Sequence, residues 1–221
     1  MKKEAYLHPH NMDRKNLEWQ NELVRIKTHF PFSINSSKVA LLVLDMQDIF
    51  LNEDSHAYIP SSPSIIPNIK ELVSTFSVQK SVVIFTRHLT SKDEQDVMFR
   101  WWRNPILESD PMSKITNMLD TSKVKILQKN QYSAFFSTDL KTFLQKKGIK
   151  QVIITGVMTH LCCETTARDA FMNGFEVFFA MDATAAYTEE LHLGTLRSIT
   201  HGFGRCLPTT EIIKSFHTEV L

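Results

Sequence analysis

Three side chains with complementary chemistry stand at the ends of short apolar runs. Asp45 closes KVALLVLD over 38–45, Lys129 follows VKILQ over 124–128, and Cys162 comes shortly after QVIIT over 151–155. A carboxylate can take the proton of a thiol, an ammonium favours the thiolate, and a thiolate attacks a carbonyl carbon, so the set suits acyl transfer. From Thr159 onward the pattern turns helical, with Thr159 as N-cap, Glu164 and Arg168 spaced as an i,i+4 pair, and Gly174 as the stop. Cys162 is thereby expected in the first helical turn, where backbone amides and the positive end of the dipole lower a thiol pKa and can hold an oxyanion. Singly, each residue has an ordinary use: a cysteine fills cores, an aspartate caps turns, a lysine sits in solvent. Their joint placement is what points to chemistry. Cys163, about 100° further round the helix, is expected to pack elsewhere.

The three can meet only if the runs that carry them share one parallel sheet. Residues 38–45 and 81–86 (SVVIFT) are continuous apolar runs that need cover on both faces. Further strands are read at 124–128, 151–155, 176–181 ending at Asp182, and 205–207. Helical segments alternate with them over 67–78 (Ile69, Leu72, Val73, Phe76), over 138–147 with Gly148 as stop, after Thr159, and over 188–201 with Thr188 as cap. A last helix opens at Thr209 or Thr210. This alternation predicts an α/β fold, a doubly wound, mostly six-stranded parallel sheet with helices on both faces and right-handed crossovers. Ligands in such sheets bind outside the carboxyl ends of the strands, where Asp45, Lys129 and Cys162 all fall.

Residues 1–37 are polar, with a short helical stretch over 19–26, and read as an N-terminal extension to a domain of 38–221. The extension either packs on the domain or reaches a neighbouring subunit. Residues 87–113 have no period yet carry Arg87, His88, Phe99, Trp101, Trp102 and Arg103. A loop of that length is expected to cover a site, unless its tryptophans merely anchor it.

Composition narrows the partners. A chain of 221 residues with 43% apolar content suits one α/β domain, and 25 basic against 24 acidic residues leave no basic face for nucleic acid. Three cysteines, two adjacent, make neither a disulfide framework nor a CxxC metal site, which fits a reducing compartment. The first residues lack an apolar signal core, and no 18 apolar residues run together. A cytoplasmic protein with a small-molecule substrate and no membrane partner is the expectation. No GxGxxG or GxxxxGK[ST] follows a strand, and no cofactor is expected.

The segments LLVLDMQDIF, KNQYSAFF, ITGVMTHLCCETTARDAF and EVFFAMDATAA resemble the isochorismatase-like cysteine hydrolases, a group that includes nicotinamidases, carbamoylsarcosine amidohydrolase and ureidoacrylate amidohydrolase. The likeness runs from about Lys38 to Ile213. It implies Asp45 as general base, Lys129 as charge partner and Cys162 as nucleophile on a doubly wound parallel sheet. It also implies a cis peptide between Val157 and Met158, with the Met158 and Cys162 amides facing an oxyanion, and it favours a homo-oligomer. True isochorismatases resemble this chain but have Gly in place of Cys162, so the cysteine favours C–N hydrolysis. Nicotinamidases have a metal motif of D-x-H type after the second strand. TRHLTSKDEQD replaces it here and leaves His88 alone, so no metal is expected. The expected activity is hydrolysis of a small amide, carbamoyl or ureido compound through a thioester, with Arg87, Trp102, Tyr132 and Phe136 in the pocket wall. Arg87 there would favour a carboxylate-bearing substrate. The alternatives are an isochorismate-type vinyl ether hydrolase and a catalytically idle binding scaffold.

Overall fold

A computed structural model of the chain describes residues 2–26, 28–91, 93–102 and 104–217, so Arg103 of the long loop lies outside the described residues. In chain order the elements are α1 (Met12–Leu23), β1 (Val39–Leu44), α2 (Asp48–Leu51), α3 (Ser62–Val78), β2 (Val82–His88), α4 (Val97–Trp101), β3 (Lys125–Lys129), α5 (Leu140–Lys146), β4 (Gln151–Val157), α6 (Glu164–Met172), β5 (Glu176–Ala185), α7 (Glu189–Gly202), β6 (Gly204–Leu207) and α8 (Thr209–His217). Short 3-10 turns lie at Pro9–Asn11 and Pro111–Ser113, and a π-helical turn spans Thr159–Cys163.

The six strands form one parallel sheet in the order β3-β2-β1-β4-β5-β6, as the alternation predicts. Every residue of β1 and β4 is buried, which is why their sequences run apolar without alternation: both faces are covered. The strand order reverses direction between β1 and β4. A crevice opens at such a switch point, beyond the carboxyl ends of the strands.

Several boundaries differ from the sequence reading for identifiable reasons. Helix α3 starts at Ser62 with Pro63 in its first turn and carries Pro67 inside, whereas the reading took Pro67 as the start. Strand β5 runs on past Asp182, because that carboxylate is buried in the sheet layer and not at its edge. It accepts from the Thr209 amide and hydroxyl and from Asn16 Nδ2. Helix α1 begins at Met12 rather than near Trp19, and its buried face is Asn16, Trp19 and Leu23. The segment 87–113 is only partly a loop, since it includes the end of β2, all of α4 and a 3-10 turn.

The N-terminal residues pack on the domain. Tyr6, Leu7, Trp19 and Leu23 join the hydrophobic core, and the His192 ring of α7 is buried against Trp19, with ring centroids 4.5 Å apart. His192 Nδ1 lies 2.9 Å from the Thr159 hydroxyl, and burial drives its pKa down to about 3. The ring is therefore neutral in the fold but takes a proton in the unfolded chain below about pH 6.5. Since the unfolded state then binds more protons, stability must fall as pH drops from about 6.5 towards about 3. Melting temperatures across that window should decline, and His192→Gln should flatten the decline. An unchanged slope in the variant would assign the acid sensitivity elsewhere.

Of the two glycines in the strands, Gly156 leaves the least room for a side chain. It sits in β4 at φ +101°, and a Cβ there would lie 2.0 Å from the Leu44 carbonyl oxygen, immediately before Asp45. Gly148 also has positive φ (+71°) but nothing within 4 Å of an added Cβ. Gly156→Ala should therefore cost well over the roughly 1 kcal/mol expected of Gly148→Ala, because only the first drives a strand apart. Urea unfolding of the two variants tests this, and equal losses would contradict it.

Candidate active site

Asp45 is the first residue past β1. It is fully buried at φ +49°, a left-handed conformation that turns its side chain off the strand path. Thr86 of β2 holds it from both sides: its hydroxyl accepts from the Asp45 amide at 3.0 Å and donates to Oδ1 at 2.6 Å. Lys129, the last residue of β3, brings Nζ to 2.7 Å from Asp45 Oδ2, and neither side chain has exposed surface. The same Nζ donates to Cys162 Sγ at 3.3 Å and to the Gln131 carbonyl at 3.0 Å. The Asp45 carboxylate also acts on the Cys162 thiol, favouring its protonated form. The three side chains read from the sequence thus meet at one point.

Their electrostatics differ from the expectation for the cysteine. Cys162 lies in the π-helical turn, before α6 begins at Glu164, rather than in the first turn of an α-helix. Burial pushes its thiol up to about 12. The Lys129 ammonium opposes that shift, and the Asp45 carboxylate adds to it. The resting sulfur is a thiol at neutral pH, contrary to the thiolate expected from a helix terminus. The low-dielectric surroundings outweigh the cation because the cation is already matched by a carboxylate. Burial also opposes charge on Asp45, but the ammonium prevails and keeps its pKa below the usual carboxylate range. Lys129 is shifted upward, burial being outweighed by Asp45 and the sulfur. Cys163 points away, fully buried with its sulfur towards the Thr155 carbonyl at 3.8 Å, as expected for packing.

Cys162 borders a cavity of about 790 Å³ whose wall is mainly apolar. Trp101, Trp102, Tyr132 and Phe50 supply aromatic surface, and Met158 and His88 line it near the sulfur. The Val157–Met158 peptide is cis, where the resemblance implied. Trp102 Nε1 donates to the Tyr132 hydroxyl at 2.9 Å, so the segment after β2 is tied to the one after β3. Trp101 is 71% exposed and Trp102 36%, which sets them at the mouth. The reading of 87–113 as site cover agrees with this.

Two expected wall residues lie elsewhere. The Arg87 guanidinium donates to the Ser113 carbonyl and hydroxyl at 2.9 and 2.7 Å and faces Glu108 at 3.8 Å, outside the cavity. Alternation along β2 explains this, since neighbours Thr86 and His88 point to the site and Arg87 to the other face. Phe136 is 56% exposed and does not border the cavity, while Tyr132 before it does.

The sequence reading missed Gln47. Its buried amide donates to the His88 and Ser113 carbonyls at 3.0 and 2.7 Å and accepts from the His88 amide at 2.7 Å. It knits the end of β1 to the end of β2 and to the cover segment. A lone polar residue after a strand gave no pattern to find it by. Thr86 was likewise hidden, as an ordinary strand threonine. His88 lines the cavity and is held neutral, burial bringing its pKa to about 4. Among the described residues no cluster of three or more His, Cys, Asp or Glu side chains could hold a metal. No helix among them is long and apolar enough to cross a membrane.

Comparison with known proteins bears on this geometry. The isochorismatase domain matches residues 39–211. Nicotinamidase 3 of Arabidopsis thaliana is 38% identical over 186 residues, covering 82% of this chain and 90% of its own length. Enterobactin synthase component B of Escherichia coli (strain K12) is 29% identical over 217 residues, covering 96% of this chain and 71% of its own. A cysteine hydrolase from Pseudomonas syringae pv. phaseolicola 1448A superposes with a TM-score of 0.82 at 27% identity, over 87% of this chain and 98% of that one. The sheet order, the domain match and a relative this similar along nearly its whole length agree, and the chain belongs to the isochorismatase domain family of hydrolases.

Proposed function

We propose that the protein is a cysteine amidohydrolase acting on a small carboxamide, carbamoyl or ureido compound. One observation carries the reading: a thiol in contact with a buried ammonium that is itself paired with a buried carboxylate, at the wall of an apolar cavity. In the resting site Asp45 is ionised and Cys162 protonated. As the sulfur attacks the carbonyl carbon, its proton passes to Asp45 and the S–C bond forms. The carbonyl oxygen takes the negative charge, with the amides of Met158 and Cys162 as its donors. The tetrahedral intermediate collapses with cleavage of the C–N bond, Asp45 returns the proton to nitrogen, and ammonia or an amine leaves. Water then adds to the thioester with Asp45 as base, releasing the acid and restoring the thiol. Lys129 holds the carboxylate in place and offsets the negative charge on sulfur as it forms.

The aromatic wall favours a substrate with a planar or apolar acyl group, and the similarity to Nicotinamidase 3 supports a carboxamide. The second reading, cleavage of a vinyl ether as in isochorismate, draws support from the similarity to enterobactin synthase component B. It makes no use of the sulfur. Ammonia release from a panel of amides and carbamoyl acids, with Cys162→Ala as the blank, separates the two. The amidohydrolase reading requires release that the variant loses by about a thousandfold or more. Turnover of isochorismate retained in Cys162→Ala would favour the second.

The pH dependence follows from the signs of the shifts. Asp45 must be ionised to accept the proton, and its pKa lies below the ordinary carboxylate value; Lys129 must stay charged, and its pKa lies above the ordinary lysine value. We expect kcat/KM to be level from about pH 5 to about pH 9. A limb near pH 6 to 7 would identify a histidine as the base instead. Alkylation gives a separate check. Cys162 borders the cavity, whereas Cys163 is fully buried and Cys206 borders no part of it, so iodoacetamide should label Cys162 first, slowly at neutral pH and faster as pH rises. Lys129→Met should slow the labelling and Asp45→Asn should speed it, since these groups shift the thiol in opposite directions. First labelling at Cys163 or Cys206 would remove Cys162 from the role.

A further inference from the structure

The N-terminal strap reaches the cavity through a single cation. Lys3 borders it together with Tyr187, His56 and Ala57, although it stands well before residue 39, where the domain match begins. The strap is held along its length. Glu4 donates its amide to the Tyr187 carbonyl at 2.8 Å, the Leu7 amide donates to Ser61 Oγ at 3.1 Å, and the Ala186 amide donates to the Tyr6 hydroxyl at 3.0 Å. Lys3 is therefore fixed and does not trail in solvent. Its Nζ donates to the carbonyls of His56 and Tyr58 at 2.7 and 2.8 Å and lies 4.4 Å from the centre of the Tyr187 ring.

An ammonium has three N–H donors, and two go to these carbonyls. Among the described residues no carboxylate pairs with it, in contrast to Lys129 and Lys15, each of which has a carboxylate within 3 Å. Burial lowers its pKa, and no charged group among the described residues opposes that shift. A fixed cation without a counter-charge, at the wall of a mainly apolar cavity that also holds a thiol, is a site for an anion. Arg87, the cation expected from the sequence to read a substrate carboxylate, is bound to Ser113 and lies outside.

We propose that Lys3 is a specificity-determining residue that pairs with an anionic group, a carboxylate above all, on the part of the substrate remote from the scissile carbonyl. This rests on the amidohydrolase reading for the bond cleaved, but the ion pair itself does not. The preferred substrates are then carbamoyl or carboxamide compounds with a second, acidic end. The apolar wall takes the carbon skeleton, and Lys3 selects the acid over its neutral analogue.

The test uses two acids, succinamate and para-carbamoylbenzoate, and their neutral counterparts with an isopropyl group in place of the carboxylate. Lys3→Met keeps the apolar stem and removes the charge; Lys3→Arg keeps a charge. In the wild-type protein the acids should be the better substrates. Lys3→Met should raise KM for the acids about tenfold or more with kcat little changed, leave the neutral amides within about twofold, and be partly rescued in Lys3→Arg. Equal losses on acids and neutral amides would reduce Lys3 to a fastener of the strap, and no loss on either would remove it from the site; both outcomes overturn the proposal. Binding of the same compounds to Cys162→Ala, followed by tryptophan fluorescence, keeps the two readings separate. Acid binding that Lys3→Met weakens, without amide turnover by the wild-type protein, would support Lys3 and sink the amidohydrolase reading. Binding of the acids no tighter than of the neutral amides would overturn the role of Lys3 even if turnover occurs.

Discussion

The Asp45 carboxylate and the Lys129 ammonium lie 2.7 Å apart with no side-chain surface exposed. Taking such charges out of water costs on the order of several kcal/mol per ion, and their attraction repays that only when the remaining donors and acceptors are also met. The surrounding chain meets them: Thr86 serves Oδ1, and the Gln131 carbonyl and the Cys162 sulfur serve Nζ. A pair of apolar side chains of the same volume would stabilise this place as well or better. The charges make sense as a reactive group kept ready, with the cost of assembling it met during folding rather than at the moment of reaction.

The sheet is what makes that arrangement rigid. Asp45, Lys129 and Cys162 come from the ends of three strands, and the parallel register sets His88 beside Lys129 and Leu44 beside Gly156. Gly156 lets β4 approach the end of β1 so closely that the turn carrying Asp45 and the turn carrying Cys162 share one wall. Gln47 does similar work with a neutral amide, linking three segments at the crevice in a way that no titration between acid and neutral pH can loosen. The mouth is built from weaker material: one bond between Trp102 and Tyr132 crosses from one loop to another.

The sequence made the sheet and the reactive trio legible because both leave a regular trace. Fully buried strands read as apolar runs, and the residue after each run lands at the ligand-binding edge. The local electrostatics were not legible. Position in a helix suggested a low thiol pKa for Cys162, yet its protonation is governed by burial and by a carboxylate 117 positions away in the chain. Arg87 and Phe136 were expected in the pocket for their chemistry, but side-chain direction, set by the pleat for Arg87, puts them outside. The N-terminal residues looked like an appendage because polar positions dominate their count, whereas Trp19, Tyr6 and Leu7 determine where they sit.

The strap has a consequence for the order in which the molecule folds. Its partners are Ser61, some 54 positions downstream of Leu7, and Ala186, 180 positions downstream of Tyr6. The strap therefore cannot dock until segments far along the chain are in place. Before β5 has joined the sheet and set Tyr187 in place, the part of the cavity wall made by Lys3 and Tyr187 is missing. The chamber thus gains its last wall late, and a chain in which only the early strands have paired offers no complete enclosure for a ligand.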